Sequence, residues 1–199
     1  VEYKDDATAF NGLKKGTIIG KGAVNNRVSN HFFRILEKHS IPTHYIEELS
    51  DRETIVKKVQ IVPLEVIIRN VAAGSMSKRF GVKEGTVLDS PAFEFSYKND
   101  DLGDPMINNS QILALKLASK QDLELIEKMA FKVNDVLKEE FLKLNLKLID
   151  FKLEFGRFGD TIILADEISP DTCRLWDTNT DEKLDKDRFR RDMGKVEDA

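Results

Sequence analysis

This chain contains few residues of several types, and each shortage excludes a class of protein. Its 199 residues include one cysteine, one tryptophan and five prolines. The single cysteine, Cys173, cannot form an internal disulfide, which fits a reducing compartment such as the cytosol. No apolar run approaches the roughly 18 residues that a membrane-spanning helix needs. We therefore expect a cytoplasmic protein with no membrane partner.

The charge balance and the missing motifs narrow the function further. The chain has 31 basic and 35 acidic residues, a net charge of −4, whereas nucleic-acid binding favours a concentrated basic surface. There is no Walker P-loop, no G-x-S-x-G elbow and no C-x-x-C pair, and the three histidines lack metal-ligand spacing. We expect a globular enzyme or binding protein with no nucleic-acid partner, built as one large domain or two small lobes.

Two segments have the periodicity of amphipathic helices. The first covers residues 23–39, and the second follows Ser119, which together with Asp122 matches a capping box. Both are predicted to be scaffold. Residues 186–192 are charged with alternating sign, which predicts a short helix with a solvated face.

Several runs favour β-strands and suggest a phosphate site. Residues 54–62 and 64–71 are separated by Pro63, which predicts a strand end or edge and a lobe boundary. Arg69 closes the second run, and a helix could begin at Ser75. A helix N-terminus beside an arginine is a candidate anion site. The alternative is that Ser75 only caps the helix and Arg69 is a surface charge.

The most informative segment is residues 148–155, where apolar and charged residues alternate. In a strand, successive side chains point to opposite faces, so this pattern gives one apolar and one charged face. The predicted apolar face holds Ile149, Phe151, Leu153 and Phe155, and the charged face holds Asp150, Lys152 and Glu154.

A second strand over residues 161–167 would complete a hairpin. A register centred on Gly159 sets Asp166 opposite Lys152 and diagonal to Glu154. Two carboxylates and one ammonium on a shared surface suit Mg²⁺, which takes oxygen ligands and fills its remaining positions with water and phosphate. The alternative is an ordinary hairpin whose charged face is solvated.

Six segments, which together run along essentially the whole chain in order, resemble the SAICAR synthetase family. They are residues 5–12, 69–75, 98–100, 104–106, 150–156 and 166–171. The resemblance implies a cytosolic ligase of de novo purine biosynthesis. Such an enzyme uses ATP to join L-aspartate to carboxyaminoimidazole ribonucleotide (CAIR), giving SAICAR, ADP and phosphate. Because a carboxylate is a poor electrophile, we expect an acyl phosphate intermediate.

The resemblance also implies a fold and an assembly. We expect an α+β, two-lobed, ATP-grasp-related fold, with an N-terminal antiparallel sheet lobe over residues 1–60 and a larger α+β lobe over residues 61–199. A homodimer is expected. The family's first strand–turn–strand carries glycine and lysine and covers the ATP phosphates. It would lie before Val1, so its contacts are not among those predicted.

Individual roles follow from the resemblance, position by position. The predicted Mg²⁺ ligands at the ATP phosphates are Glu154 and Asp166. The predicted cradle for the ribonucleotide phosphate is Arg69, Ser75 and Arg174. The space between nucleotide and imidazole is lined by Lys98, Asp104, Asp150 and Lys152. The hinge that meets adenine is Val56, Lys57, Lys58 and Val59.

The sequence leaves open the roles of two lysines and two aspartates, and it also leaves open two other functions. Either Lys152 or Lys98 steadies the transferring phosphoryl group, and either Asp104 or Asp150 orients the aspartate amine or takes up its proton. Two other functions fit the same residues, a small-molecule kinase and a non-catalytic nucleotide-binding module. A requirement for aspartate would separate the ligase from the kinase.

Overall fold

The computed structural model describes residues 1–9 and 13–193, so residues 10–12 of the family-like segment 5–12 lie outside it. The strands are β1 (Asp6–Ala9), β2 (Lys14–Thr17), β3 (Tyr45–Glu48), β4 (Thr54–Val56), β5 (Gln60–Val71), β6 (Val87–Tyr97), β7 (Met106–Ile107), β8 (Leu146–Phe158), β9 (Thr161–Ala165) and β10 (Cys173–Asp177). The helices are α1 (Lys21–Lys38), α2 (Gly74–Phe80), α3 (Asn109–Ala114), α4 (Lys120–Leu142) and α5 (Asp187–Arg190), with a 3₁₀ turn at Asp100–Leu102.

A six-stranded antiparallel sheet organises the chain, in the order β10-β8-β5-β6-β7 with β9 also paired to β8. The strand β8 is its centre. It pairs with β5 on one side, and on the other side first with β10 and then with β9. The loop between β9 and β10, residues 166–172, therefore crosses the middle of β8, where Lys152 N donates a hydrogen bond to Thr172 O at 2.9 Å. The pairs β1–β2 and β3–β4 form two small separate sheets.

The long helix α4 covers the apolar face of the sheet. Its capping box is confirmed, since Ser119 Oγ accepts from Asp122 N and Asp122 Oδ2 accepts from Ser119 N. Side chains of α1 join the same buried core as α4, β5 and β8. The core thus fixes one face of the sheet and leaves the charged face of β8 free for a site. The two-lobed division at residue 60 stays a prediction.

The expected strand end or edge at Pro63 is wrong, because β5 continues through it from Gln60 to Val71 and lies between β8 and β6 in the sheet. The pairing of β5 with β8 changes register between Ile61 and Glu65. Proline has no N–H to donate to a ladder, so a local irregularity in the pairing accommodates it without ending the strand.

The apolar face of β8 is confirmed for Phe151, Leu153 and Phe155, which lie in the main core. Ile149 is the exception, because it packs in a separate buried cluster with Val71, Ala73 and Trp176. The pairing of β10 with β8 shifts register at this level. Such an irregularity changes the alternation of side chains, which explains why the strict period of two fails at this one position.

Candidate functional site

The charged face of β8 forms part of an open cleft of about 1130 Å³. Asp150, Lys152 and Glu154 all line it. Asp150 is 2% exposed and Glu154 is 4% exposed, so the alternative of an ordinary solvated hairpin face is wrong. Buried carboxylates are stable only when they are paired. Their partners divide into two groups along the sheet.

The first group surrounds Lys152. Its Nζ lies 2.6 Å from Glu154 Oε1, 3.3 Å from Glu65 Oε1 and 3.3 Å from Asp166 Oδ2. Lys98 Nζ lies 2.9 Å from the same Glu154 oxygen. We call these five residues the lysine cluster. Three carboxylates share two ammonium groups there, so the cluster has a deficit of positive charge.

The pKa values of the residues in the lysine cluster are shifted by this deficit of positive charge. Burial alone would lower the pKa of Lys152, but the carboxylates of Asp166, Glu154 and Glu65 raise it. Burial raises the pKa of Asp166, and Glu154 adds to the rise while Lys152 opposes it. The pKa of Glu154 is lowered, because Lys152 and Lys98 outweigh its burial. The carboxylate of Asp166 is therefore the least well compensated of this pair of acids.

The predicted hairpin register is wrong by one residue. Glu154 pairs with Ala165 and Phe158 with Thr161, so the strands meet across a two-residue turn, and strict continuation would set Asp166 opposite Leu153, a core residue. However, β9 ends at Ala165, and Asp166 has a left-handed backbone with φ 59°. This change of direction brings the carboxylate of Asp166 to Lys152. The two residues are therefore neighbours as predicted, although they are not paired across the strands.

The second group is a ladder of alternating charges across four strands. Arg69 bonds Glu94 and Asp150, both at 2.7 Å. Arg174 bonds both oxygens of Asp150 at 2.9 Å and Asp187 at 3.1 Å. Arg79 completes the ladder by pairing with Glu94. We call it the arginine row, and its members are Arg79, Glu94, Arg69, Asp150, Arg174 and Asp187. Three acids balance three bases.

The three residues predicted to hold a ribonucleotide phosphate come together at this row. Arg69 Nη2 donates to Ser75 Oγ at 3.1 Å. The guanidinium of Arg174 lies against Gly74, where an added Cβ would stand 2.5 Å from Nη2, and Gly74 has φ 54°, so only glycine fits. Arg69 is 3% exposed, and α2 begins at Gly74 after Ala73. The alternative reading of a surface arginine and a capping serine is therefore wrong.

Asp104 and Lys98 also line the cleft. They flank the 3₁₀ turn, and Asp104 Oδ1 accepts a hydrogen bond from Asn99 N at 2.8 Å. Asp104 has φ 50°, which closes the loop. Asp104 and Asp150 thus differ, since Asp150 uses both oxygens to bind the buried Arg69 and the partly buried Arg174.

The predicted adenine hinge does not join these residues. Residues 56–59 are described, but they are not among the residues that line the cleft. Lys57 Nζ donates to Thr43 O at 2.8 Å, and Val59 packs closely against Gly156. These contacts tie the segment to β8 and to the chain before β3.

Sequence reasoning missed several residues of the cleft. Asp187 lies in the segment predicted to be solvated, yet it is buried and bonds Arg174. Glu167 lines the cleft, burial raises its pKa to about 7, and its Oε2 is buried with no hydrogen-bond partner in the described part of the chain. Asp171 binds Lys21 at 2.6 Å. Glu167 and Asp171 lie in the family-like segment 166–171, but nothing in it singles them out, and the signal for Asp187 is only its place in a charged segment.

Comparison with known proteins identifies the family. The family model described as SAICAR synthetase matches residues 1–199. The chain belongs to the SAICAR synthetase family. A phosphoribosylaminoimidazole-succinocarboxamide synthase of Lachnoclostridium phytofermentans is 66% identical over all of this chain and 85% of that protein. The expected resemblance is confirmed.

Solved structures agree with this result. A SAICAR synthetase from Ehrlichia chaffeensis superposes with a TM-score of 0.95 at 48% identity, covering 98% of this chain and 84% of that one. A SAICAR synthetase in complex with ADP gives 0.95 at 49% identity, with the same coverage. The mixed α/β fold with a mainly antiparallel sheet is thus confirmed.

Family membership gives the reaction. SAICAR synthetases are ligases of purine biosynthesis that join aspartate to CAIR with the use of ATP, which confirms the predicted activity. None of the helices within residues 1–9 and 13–193 could span a membrane.

Proposed function

We propose that this chain joins L-aspartate to CAIR through an acyl phosphate, and that the lysine cluster is where ATP and Mg²⁺ meet the CAIR carboxylate. The observation that carries this proposal is the convergence of Glu154, Asp166 and Glu65 on one ammonium group at an open cleft. The surplus of negative charge there would be relieved by a divalent cation. The ADP complex of a relative supports the use of a nucleotide.

The donor set fits Mg²⁺. In the described residues, no cluster of three or more His, Cys, Asp or Glu side chains could hold a metal ion, so a metal would have to rely on few protein ligands. Mg²⁺ is bound in that way in many phosphate sites, by one or two carboxylates together with water and phosphate oxygens. Glu154 and Asp166 would be those carboxylates. When bound, Mg²⁺ would neutralise phosphate charge and help to align the reacting groups.

The arginine row would bind the ribonucleotide phosphate. Arg69, Ser75 and Arg174 lie side by side at the cleft, and the row is charge-balanced, with Arg69, Asp150 and Asp187 buried. Fixed guanidinium forks and a hydroxyl are suitable donors for phosphate oxygens. Binding there would set the imidazole carboxylate toward the lysine cluster, because Asp150 and Glu154 lie on the same face of β8, four residues apart along the strand.

Phosphoryl transfer requires positioning and charge stabilisation more than a protein nucleophile. Lys152 fits the role of steadying the transferring group better than Lys98, since it contacts three carboxylates at the centre of the cluster. The aspartate amine would then attack the acyl phosphate as a free base. Asp104 is better suited than Asp150 to orient that amine, because Asp150 is fully engaged with two arginines.

The remaining expectations belong to the same proposal. They are the adenine hinge at residues 56–59, a two-lobed ATP-grasp-related arrangement, a homodimer and a cytoplasmic location. The hinge rests on the family resemblance alone. The single buried Cys173 is consistent with a reducing compartment.

A coupled assay for ADP release tests the reaction. A ligase releases ADP only when ATP, CAIR and aspartate are all present, whereas a kinase would release it without aspartate. The matched variants are Glu154→Gln and Glu139→Gln, the latter in an exposed ion pair on α4. We expect turnover to fall about 10²–10³-fold for Glu154→Gln, as for the loss of one preorganised electrostatic contact. The control should match the wild type. Near-normal turnover of Glu154→Gln at ordinary Mg²⁺ would contradict the ligand role.

A further inference from the structure

Two basic side chains on the C-terminal wall of the cleft have no acidic partner within 4 Å among residues 1–9 and 13–193. They are Lys186, which precedes α5, and Arg190, which ends it, and both line the cleft. Arg190 N donates to Lys186 O at 3.1 Å, so the two residues are one helical turn apart and lie on the same side. We call them the cationic pair.

The other basic residues near the cationic pair differ from it because they form ion pairs with acids. Lys183 and Arg191 both bind Glu84, and Arg188 binds Glu182 at 2.9 Å. Arg188 does not line the cleft. Arg191 does line the cleft, but its charge is paired with Glu84. The other basic side chains of this segment are therefore all paired with acids, while the cationic pair has no acid within 4 Å among the described residues.

The surroundings of the pair make it unfavourable without an anion. Burial, together with the nearby Arg174, lowers the pKa of Lys186 to about 8, while Asp150 opposes this. Burial and Arg174 also lower the pKa of Arg190. Two half-buried cations beside a third cation are destabilised unless a ligand supplies negative charge.

The acids of the arginine row do not supply this negative charge, because they already compensate the arginines of the row. The proposed site for the ribonucleotide phosphate is complete without the cationic pair. Asp150 and Asp187 already compensate Arg174, and Asp150 and Glu94 compensate Arg69. The proposed phosphate cradle is built from these arginines with Ser75. The other substrate is a dicarboxylate, so two extra cations match the two carboxylates that have no assigned site.

We propose that Lys186 and Arg190 bind the carboxylate groups of L-aspartate and so orient its amine for attack. This inference rests on the proposed function. Guanidinium binds carboxylate through two parallel N–H donors, and a lysine adds a point charge, so the pair would favour a diacid over a neutral amine.

Steady-state kinetics of the full chain test this assignment. The variants are Arg190→Gln and Lys186→Met, and the matched control on the same helix is Arg188→Gln. We expect the KM for aspartate to rise about 10- to 100-fold, the size expected for one charge-assisted hydrogen bond. The KM for CAIR and for ATP should stay within about threefold of the wild type by the same comparison. The conservative variants Arg190→Lys and Lys186→Arg should keep the fold and recover part of the affinity.

The pH dependence gives a second measurement. The groups that face Lys186 are Arg174 and Cys173 on β10, Asp150 on β8 and Arg190 on its own helix. Because the pKa of Lys186 is about 8, its charge is lost as pH rises through that value, so the KM for aspartate should rise there. Lys186→Arg stays charged and should remove this rise, which separates it from titration of the substrate amine.

Each other outcome overturns the assignment. A rise in the KM for CAIR with no change for aspartate would mean that the pair binds the ribonucleotide phosphate. Unchanged KM values for both substrates would mean that the pair has no binding role. If wild-type ADP release does not depend on aspartate at all, the proposed function fails first, and this result is distinct from a failure of the pair alone.

Discussion

The arginine row and the lysine cluster lie on the same sheet face and share β8, yet their charges are handled differently. Asp150 in the row binds two arginines with both oxygens. Glu154, four residues further on, binds two lysines with one oxygen. The row balances three acids with three bases, while the cluster sets three acids against two bases.

This difference suggests that the arginine row is formed before any ligand binds, whereas the lysine cluster is completed by its ligand. A ladder whose charges cancel and whose centre is buried holds its side chains in one geometry before any substrate arrives. A cluster with uncompensated carboxylate charge gains stability when a cation binds. We therefore expect substitutions of the acids in the row to act mainly on folding, and substitutions in the cluster to act mainly on turnover and on the response to Mg²⁺.

The largest effect should come from breaking the centre of the row. Asp150→Ala leaves Arg69 and Arg174 buried without their shared partner, so the free energy of unfolding should fall by about 3–5 kcal/mol. Denaturant titration measures this. The control Glu124→Ala, in an exposed ion pair on α4, should change it by about 1 kcal/mol or less. A loss below about 1 kcal/mol for Asp150→Ala would remove the distinction between the two regions.

An intermediate effect should come from the centre of the cluster. Lys152→Met removes the ammonium that three carboxylates share, so kcat should fall about 10²–10³-fold. Thermal unfolding should also become more sensitive to Mg²⁺, because a cation would then relieve unshielded carboxylate repulsion. The exposed Lys143→Met is the matched control. A variant with normal kcat, or with no added response to Mg²⁺, would count against the cluster as the phosphate and metal site.

The smallest effect should be a pH-dependent change in stability at Asp187, which lies at the end of the arginine row. Arg174 lowers the pKa of Asp187 below its ordinary value of 3.8, although burial opposes this. A carboxylate with a lowered folded-state pKa stabilises the fold above its unfolded value and loses that contribution as pH falls through the folded value. Asp187→Asn should therefore be less stable than the wild type at neutral pH, and the two unfolding curves should converge below about pH 4. A difference that stays constant down to low pH would show that Asp187 does not titrate in the folded state.

Much of the fold could be predicted because its signals are local. The capping box at Ser119 and Asp122 involves residues one turn apart, and the apolar and charged alternation of β8 depends only on the pleat. The family motifs brought part of the row and the cluster into one hypothesis before their contacts were known, namely Arg69, Asp150, Arg174, Lys98, Lys152, Glu154 and Asp166. They did not include Arg79, Glu94, Asp187 or Glu65. Their roles in binding and catalysis stay predictions for the experiments above.

One error is local, because the turn between β8 and β9 has two residues and shifts the predicted hairpin register by one. The other errors concern long-range pairing. Pro63 does not end β5, because β8 pairs with it through a change of register. Ile149 leaves the main core at a register shift with β10, which is formed by residues more than twenty positions away. Asp187 and the cationic pair lie in a segment with alternating charge, and nothing in that pattern indicates which charges face the cleft.

The sequence by itself determined the helical scaffold, the charged and apolar faces of β8 and the family to which the chain belongs, because each depends on neighbouring residues or on ordered motifs. Only the tertiary structure decided which charges compensate one another. Asp150 meets Arg69 and Arg174 across three strands, Asp166 reaches Lys152 by a left-handed turn, and Lys186 and Arg190 are left without an acid in the described chain. Charge compensation depends on distances of a few ångströms between residues that are far apart in sequence, and only the folded chain sets those distances.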